Sequence, residues 1–305
     1  MRDAFIEVRD FRKEYGDFVA VDGISFEVIR GEIFGLLGPN GAGKTSTLEC
    51  LEGLRPPSGG TVRVGEMNPA KEFHKLKDVI GVQLQSAGLP ESITPVEAMK
   101  FFCAYHRVAP RLDLLERLGL DEKKSTQFSE LSTGQQRRLT LALAVAHSPS
   151  MLFLDEPTAG LDVGSRVELH SLMREMREKG TTILLATHDM AEAEELSDRV
   201  AILLNQKLAT IGTPMEITAT GAGLTKVSVR TRDSCLAGAD VPFPAVGQHA
   251  RKEDYDIYLS TDIGPTVASI IAHVEKMDDV LIDLRVERPS LEDRFLEITS
   301  KGGSE

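Results

Sequence analysis

The 305-residue chain is 41% hydrophobic and carries a formal net charge of −12, which suits one large α/β domain plus a smaller one, each with its own core. The acidic balance argues against wrapping nucleic acid, whose phosphates call for a basic surface. Cys50, Cys103 and Cys235 are odd in number and scattered, so neither a disulfide framework nor a zinc site is legible, and a reducing compartment is expected.

Residues 1–8 are interrupted by charge where a signal peptide needs an apolar run, and they read as a first strand. Further apolar runs at 24–29 and 33–37 read as buried strands. Directly after the second comes Gly38-Pro39-Asn40-Gly41-Ala42-Gly43-Lys44-Thr45, followed by Ser46 and a helical stretch to residue 54. A glycine loop on a strand-to-helix turn is a phosphate cradle, because backbone N–H groups at a helix start meet dense negative charge only where side chains do not intrude. Gly38, Gly41 and Gly43 are expected to clear that approach, Lys44 to place its charge on the β- and γ-phosphates, and the Thr45 hydroxyl to reach a bound Mg²⁺.

Residues 95–105, 113–120 and 134–146 have helical spacing and form a helical block, a candidate subdomain over about 86–147. The most apolar stretch, 139–146, is far short of the roughly 20 residues that a membrane span needs, so any membrane role is borrowed from a partner. Ser129-Glu130-Leu131-Ser132-Thr133-Gly134-Gln135-Gln136 opens the last of these helices and places Ser132 and the Gly134 amide at a positive helix end. Strand 151–154 runs into Phe153-Leu154-Asp155-Glu156, where metal-assisted hydrolysis gives the two carboxylates separate roles. Asp155 holds Mg²⁺ through its water shell, and Glu156 polarises the attacking water. Strands at 182–186 and 200–204 complete the α/β pattern.

A short, uncharged segment at 218–224 reads as a linker between a first domain, 1–217, and a second, 225–305. In the second, 226–230, 256–260 and 280–286 alternate as strands do, 266–276 has helical spacing, and Ser290-Leu291-Glu292-Asp293 reads as a capping box opening a last helix. A small α+β domain is expected.

Leu131-Ser132-Thr133-Gly134-Gln135 resembles the signature motif of ABC-type ATPases, with Thr133 at a position that is usually Gly. The resemblance runs in the family's order through the first 215 residues and implies an α/β P-loop NTPase fold of the ABC nucleotide-binding type with a helical subdomain. By resemblance Tyr15 stacks on adenine, Gln85 contacts metal and membrane partner, and Asp162 in Ala159-Gly160-Leu161-Asp162 belongs to the D-loop. His188 in Ala186-Thr187-His188-Asp189 senses the γ-phosphate; Gln83 is a rival for Gln85. The cofactor set implied is ATP with Mg²⁺, and each ATP is capped by Ser132, Gly134 and Gln135 of a second ABC ATPase subunit. Glu287-Arg288-Pro289-Ser290-Leu291-Glu292-Asp293-Arg294-Phe295-Leu296 is similar to the tail of drug-resistance ATPases of the daunorubicin type. That likeness implies an ATP-hydrolysing exporter subunit on the cytoplasmic face of the membrane, bound to an integral permease through the region from Gln85 to His106. An importer subunit and a soluble ABC ATPase are the alternatives.

Overall fold

The computed structural model describes residues 3–84, 88–219, 224–237 and 243–301. Its elements are β1 (Ala4–Tyr15), β2 (Phe18–Ile29), β3 (Ile33–Leu37), α1 (Lys44–Leu51), β4 (Gly59–Val64), α2 (Pro69–Leu76), β5 (Ile80–Gln83), α3 (Pro95–Tyr105), α4 (Leu112–Arg117), α5 (Thr133–Val145), β6 (Met151–Asp155), α6 (Val163–Glu178), β7 (Thr182–Thr187), α7 (Met190–Leu196), β8 (Arg199–Leu204) and β9 (Lys207–Gly212). Then follow α8 (Pro214–Ala219), β10 (Thr225–Thr231), β11 (Val246–Lys252), β12 (Tyr255–Ser260), α9 (Ile263–Lys276), β13 (Leu281–Glu287) and α10 (Leu291–Lys301). The chain divides into two units, Met1–Thr213 and Pro214–Glu305.

The first unit is built on a six-stranded sheet in the order β5-β6-β7-β3-β8-β9, parallel except for β9 at one edge. Every residue of β3, β6 and β7 is buried, as a sheet covered on both faces requires. Side-chain alternation sorts β6 between two cores. Leu152 and Leu154 join the helical block of α3, α4 and α5, whereas Met151 and Phe153 join α1 and the antiparallel sheet β2-β1-β4. The helical block therefore shares one continuous core with the sheet that carries the P-loop.

Helix starts follow local chemistry. Thr94 and Glu97 form a reciprocal capping box on α3, and Ser132 and Gln135 do the same on α5. Helix α4 is shorter than its spacing suggests: a left-handed Gly119 follows Leu118, and helices commonly stop at such a residue. Residues 218 and 219, expected in a linker, belong to α8. Strand β11 carries no apolar alternation to reveal it, since six of its seven residues are exposed.

The second unit is an antiparallel sheet, β11-β12-β10-β13, with α9 packed on one face through Val227, Val229, Tyr258, Ile270 and Val274.

Between α1, α2 and the helical block runs a groove of about 370 Å³ lined by Leu54, Phe73, Leu84, Leu89, Phe102 and Tyr105. Glu52, the residue that ends α1, lines the same groove at 2% exposure, and its Oε2 has no hydrogen-bond partner among the described residues. Desolvation, with Asp155 and Glu49 adding to it, pushes this carboxyl up to about 8 from an ordinary 4.5. The folded chain thus binds a proton that the unfolded chain releases. The associated stability is intact below pH 4.5 and declines as pH rises toward 8, by ~1.4 kcal/mol per unit. Glu52→Gln is expected to flatten this slope, so that thermal denaturation at pH 8.5 finds the variant more stable than the parent while at pH 5 the two coincide. Parallel pH profiles for the two proteins would contradict the neutral, buried carboxyl.

Candidate functional site

Four segments of the site leave the C-terminal ends of neighbouring strands. Strand β3 delivers the glycine loop, β6 delivers Asp155 and Glu156, β7 delivers His188, and β5 ends on Gln83. Ladder pairing puts Leu37 beside Thr187 and Asp155 beside Ala186, so these strand ends are level.

The glycines of the loop serve two different purposes. A Cβ on Gly38 would lie 2.5 Å from the Leu203 carbonyl oxygen, and one on Gly43 would lie 2.5 Å from that of Ala20. Both positions are thus pressed against neighbouring backbone, and only Gly41 faces open space. The expectation that all three clear the ligand's approach is corrected: Gly38 and Gly43 let the loop seat on the protein. Pro39, Asn40, Gly41, Gly43, Lys44, Thr45 and Ser46 line a cavity of about 280 Å³ with Asp155 and Glu156, while Ala42 is turned into the core.

Within that cavity Lys44 is 6% exposed, and its Nζ donates to the Gly38 carbonyl at 2.7 Å and lies 3.7 Å from Glu156 Oε1. Burial lowers its ammonium below the usual range, against the opposing pull of Glu156 and Asp155. Thr45 Oγ1 donates to Asp155 Oδ2 at 3.0 Å. Burial raises the Asp155 carboxyl, the Thr45 hydrogen bond opposes this, and the charge of Glu156 raises it further. His188 Nδ1–H donates to Glu156 Oε2 at 2.8 Å, so Glu156 is held between the P-loop lysine and the histidine after β7. Glu156 also has φ of 51°, a left-handed backbone that a non-glycine residue adopts at a cost of about 1–3 kcal/mol. Its N–H donates to the Ala186 carbonyl, and its own carbonyl accepts from Arg137.

The donor set fits Mg²⁺. The Thr45 hydroxyl and the Asp155 carboxylate are hard oxygens already in contact, and Mg²⁺ takes one or two protein oxygens with the rest from phosphate and water. Among the described residues no cluster of three or more His, Cys, Asp or Glu suits a metal, which leaves the rest of this shell to phosphate oxygens and water.

Tyr15 stands beside α1, where its hydroxyl donates to Glu49 at 3.1 Å and Arg55 lies over its ring. Burial raises its phenol. The sequence reading missed Phe18, which is 57% exposed, pairs with Tyr15 across the β1–β2 turn and lines the P-loop cavity. Its only signal was the Tyr15-Gly16-Asp17-Phe18 hairpin spacing. Arg137 was missed as well: it ties α5 to Glu156, and its carbonyl accepts from Gln83 Nε2 at 3.3 Å.

Gln83 is therefore a buried residue of β5, and Gln85, Ser86 and Ala87 lie outside the described residues. Ser132 and Gln135 bond to each other across the start of α5, and Gly134 lies near Leu161. Neither Ser132 nor Gly134 lines the P-loop cavity of its own chain. Asp162 caps α6, accepting from Ser165 N and Oγ, and these bonds hold its carboxyl below the ordinary range. In α3, Phe102 packs on the helical core whereas Phe101 is 65% exposed.

Over residues 21–159 the chain matches the family described as ABC transporter. It is 36% identical to the Nod factor export ATP-binding protein I of Paraburkholderia xenovorans (strain LB400), across 99% of each chain. It is 31% identical to the daunorubicin resistance ATP-binding protein DrrA3 of Streptomyces coeruleorubidus, covering 98% of this chain and 97% of that one. A solved structure of an ATP-binding subunit of an ABC transporter superposes with a TM-score of 0.68 at 28% identity, over 72% of this chain and 93% of that one.

Asp155 combines a buried charge with a neighbouring carboxylate, so neutralising it relieves the folded state. Asp155→Asn keeps an acceptor for Thr45, and its nucleotide-free melting temperature at pH 8 is expected to equal or exceed the parent's. ATPase activity should fall at least ~100-fold, on the expectation that the Asp155 carboxylate holds Mg²⁺ through its water shell. A lower melting temperature, or activity close to the parent's, would contradict the arrangement.

Proposed function

We propose that this chain, which belongs to the ABC transporter family and is an ATPase, is the energy-coupling subunit of a membrane exporter of drugs or other small amphipathic molecules. The observation that carries the reading is the division of its ATP machinery: Lys44, Thr45, Asp155 and Glu156 converge on one cavity from which Ser132 and Gly134 are absent. ATP is therefore gripped on one side only, and a second ABC ATPase subunit completes the site with its own Ser132, Gly134 and Gln135, or their counterparts.

In this reading the loop amides and Lys44 hold the phosphate chain, and Lys44 exchanges its bond to the Gly38 carbonyl for phosphate oxygens. Thr45 and Asp155 would hold Mg²⁺, with Gln85 as the expected third contact, and the ion would neutralise charge on the phosphates. Glu156 accepts a proton from the water that attacks the γ-phosphate. His188, already bonded to Glu156 Oε2, orients that carboxylate and senses the phosphate. Arg137 links the same residue to the helix that begins at the signature motif, so the base and the capping surface are mechanically joined. Tyr15, with Phe18 next to it, offers an aromatic surface for adenine. Asp162 orders the loop that faces the second subunit.

Export is supported by likeness over nearly the whole chain to a protein named for Nod factor export and to one named for daunorubicin resistance. None of the described helices is long and apolar enough to cross a membrane. In this reading an integral permease supplies the pathway and holds the chain at the cytoplasmic face. The groove beside Leu84 and Leu89 is where that permease would dock. Residues 225–305 act as an accessory domain.

Glu156→Gln should bind ATP with near-parental affinity and hydrolyse it at least ~100-fold more slowly, since the base is lost while the charge clamp stays. Parental turnover would reject the role given to Glu156. Mixing Lys44→Ala chains with Gly134→Asp chains should restore part of the ATPase activity that each lacks alone, because one composite site in the mixed pair is intact. Failure to recover activity in verified mixed pairs would count against completion of the site by a second chain.

A further inference from the structure

The loops that carry Asp162 and His188 each run straight into a helix, α6 capped by Asp162 and α7 capped by Asp189, the neighbour of His188. Along α6, Arg166, His170, Arg174 and Arg177 recur at steps of four, four and three residues, which puts them on one face. Along α7 and its two ends, Asp189, Glu192, Glu195 and Asp198 recur at every third residue. The basic row and the acidic row meet rung by rung.

Arg166 Nη1 lies 3.6 Å from Asp189 Oδ2, and His170 Nε2 donates to Glu192 Oε1 at 3.2 Å. Further along, Arg174 Nη2 donates to Glu195 Oε1 at 2.5 Å and Arg177 Nε to Asp198 Oδ2 at 2.9 Å. His170 Nδ1 also lies 3.6 Å from Glu195 Oε2, so this side chain spans two rungs. The His170–Glu192 rung is buried, at 4% and 3% exposure, whereas the others are partly open to water. The first rung stands at the site: His188 holds Glu156, and Arg166 lies one turn into α6 from Asp162.

Stability does not account for such a ladder. Exposed ion pairs add little, and a buried pair is often no better than apolar side chains of similar volume. Apolar contact is non-directional and lets one helix slide on another, whereas paired charges at matched spacing hold a single register. A fixed register passes a displacement of one helix to the other.

We propose that Arg166 and His170 are positioning residues for hydrolysis: the ladder makes α6 and α7 one piece, so that contact of the second subunit with the Asp162 loop sets His188 against Glu156. The inference rests on the reading that His188 acts on Glu156 and that the Asp162 loop faces the second chain. Neither Arg166 nor His170 lines the P-loop cavity, so the ladder governs the rate of hydrolysis and leaves the grip on ATP as it is.

The test separates register from stability, in the full chain. His170→Leu combined with Glu192→Leu removes both members of the buried rung and fills their space with apolar groups, and its melting temperature should equal or exceed the parent's. Turnover at saturating ATP should nevertheless fall at least ~10-fold, with ATP affinity unchanged, because His188 is no longer held in place. At an exposed rung, Arg174→Glu should lower turnover, and adding Glu195→Arg should restore most of the loss. This charge swap decides the matter if the double-leucine chain is destabilised. His188→Ala is measured beside them: parental turnover there would remove the reading of His188 and the ladder's task with it. If His188→Ala is impaired while a stable double-leucine chain turns over at the parental rate, or if Glu195→Arg brings back no activity to Arg174→Glu, the reading of His188 stands and the proposal is overturned.

Discussion

The site depends on where a buried parallel sheet runs out of partners. In β3, β6 and β7 the backbone groups are consumed by the ladders and the side chains by cores on both faces. Polar chemistry can begin only where the strands end. Because Leu37 is level with Thr187 and Asp155 with Ala186, the three ends release their loops at one edge. Lys44, Asp155, Glu156 and His188 come from positions up to 144 residues apart, yet they require no long-range search once the register is set.

At that edge the protein maintains an arrangement that is unfavourable by itself. Two carboxylates and an ammonium are withdrawn from water, Asp155 is held above its ordinary range by burial, and Glu156 has a left-handed backbone. Their mutual contacts offset part of this: Thr45 on Asp155, and Lys44 and His188 on Glu156. Polyphosphate bound in this cavity would compete for Lys44 and add charge beside Glu156. The Arg137 bond to the Glu156 carbonyl ties that residue to α5.

The two units manage sheet edges in different ways. In the first, β9 closes one side of the sheet as a short antiparallel strand. In the second, β13 is an edge strand among the described residues, bulged at Ile282 and carrying Asp283, Arg285 and Glu287. Glu52 in the groove of the first unit is a departure of another kind, an acid buried where a neutral side chain would be more stable.

The linear chain by itself determined the chemistry. The eight residues from Gly38 to Thr45, the Asp155-Glu156 pair and the Ser132-Gly134 helix start are local patterns whose meaning depends on spacing along a few residues, and α/β alternation follows from short apolar runs. Tertiary structure decided what depends on approach between distant segments. Gly38 and Gly43 are glycines because Leu203 and Ala20 press on them, a fact carried by residues far away in sequence. Phe18 reaches the P-loop cavity because a hairpin folds over it, and Arg137 grips Glu156 because two cores share one sheet. Strand β11 was illegible because an exposed edge strand needs no apolar alternation, and the length of α4 was set by a left-handed Gly119. Local pattern names the groups; only packing decides their contacts, because burial and proximity are properties of the closed chain.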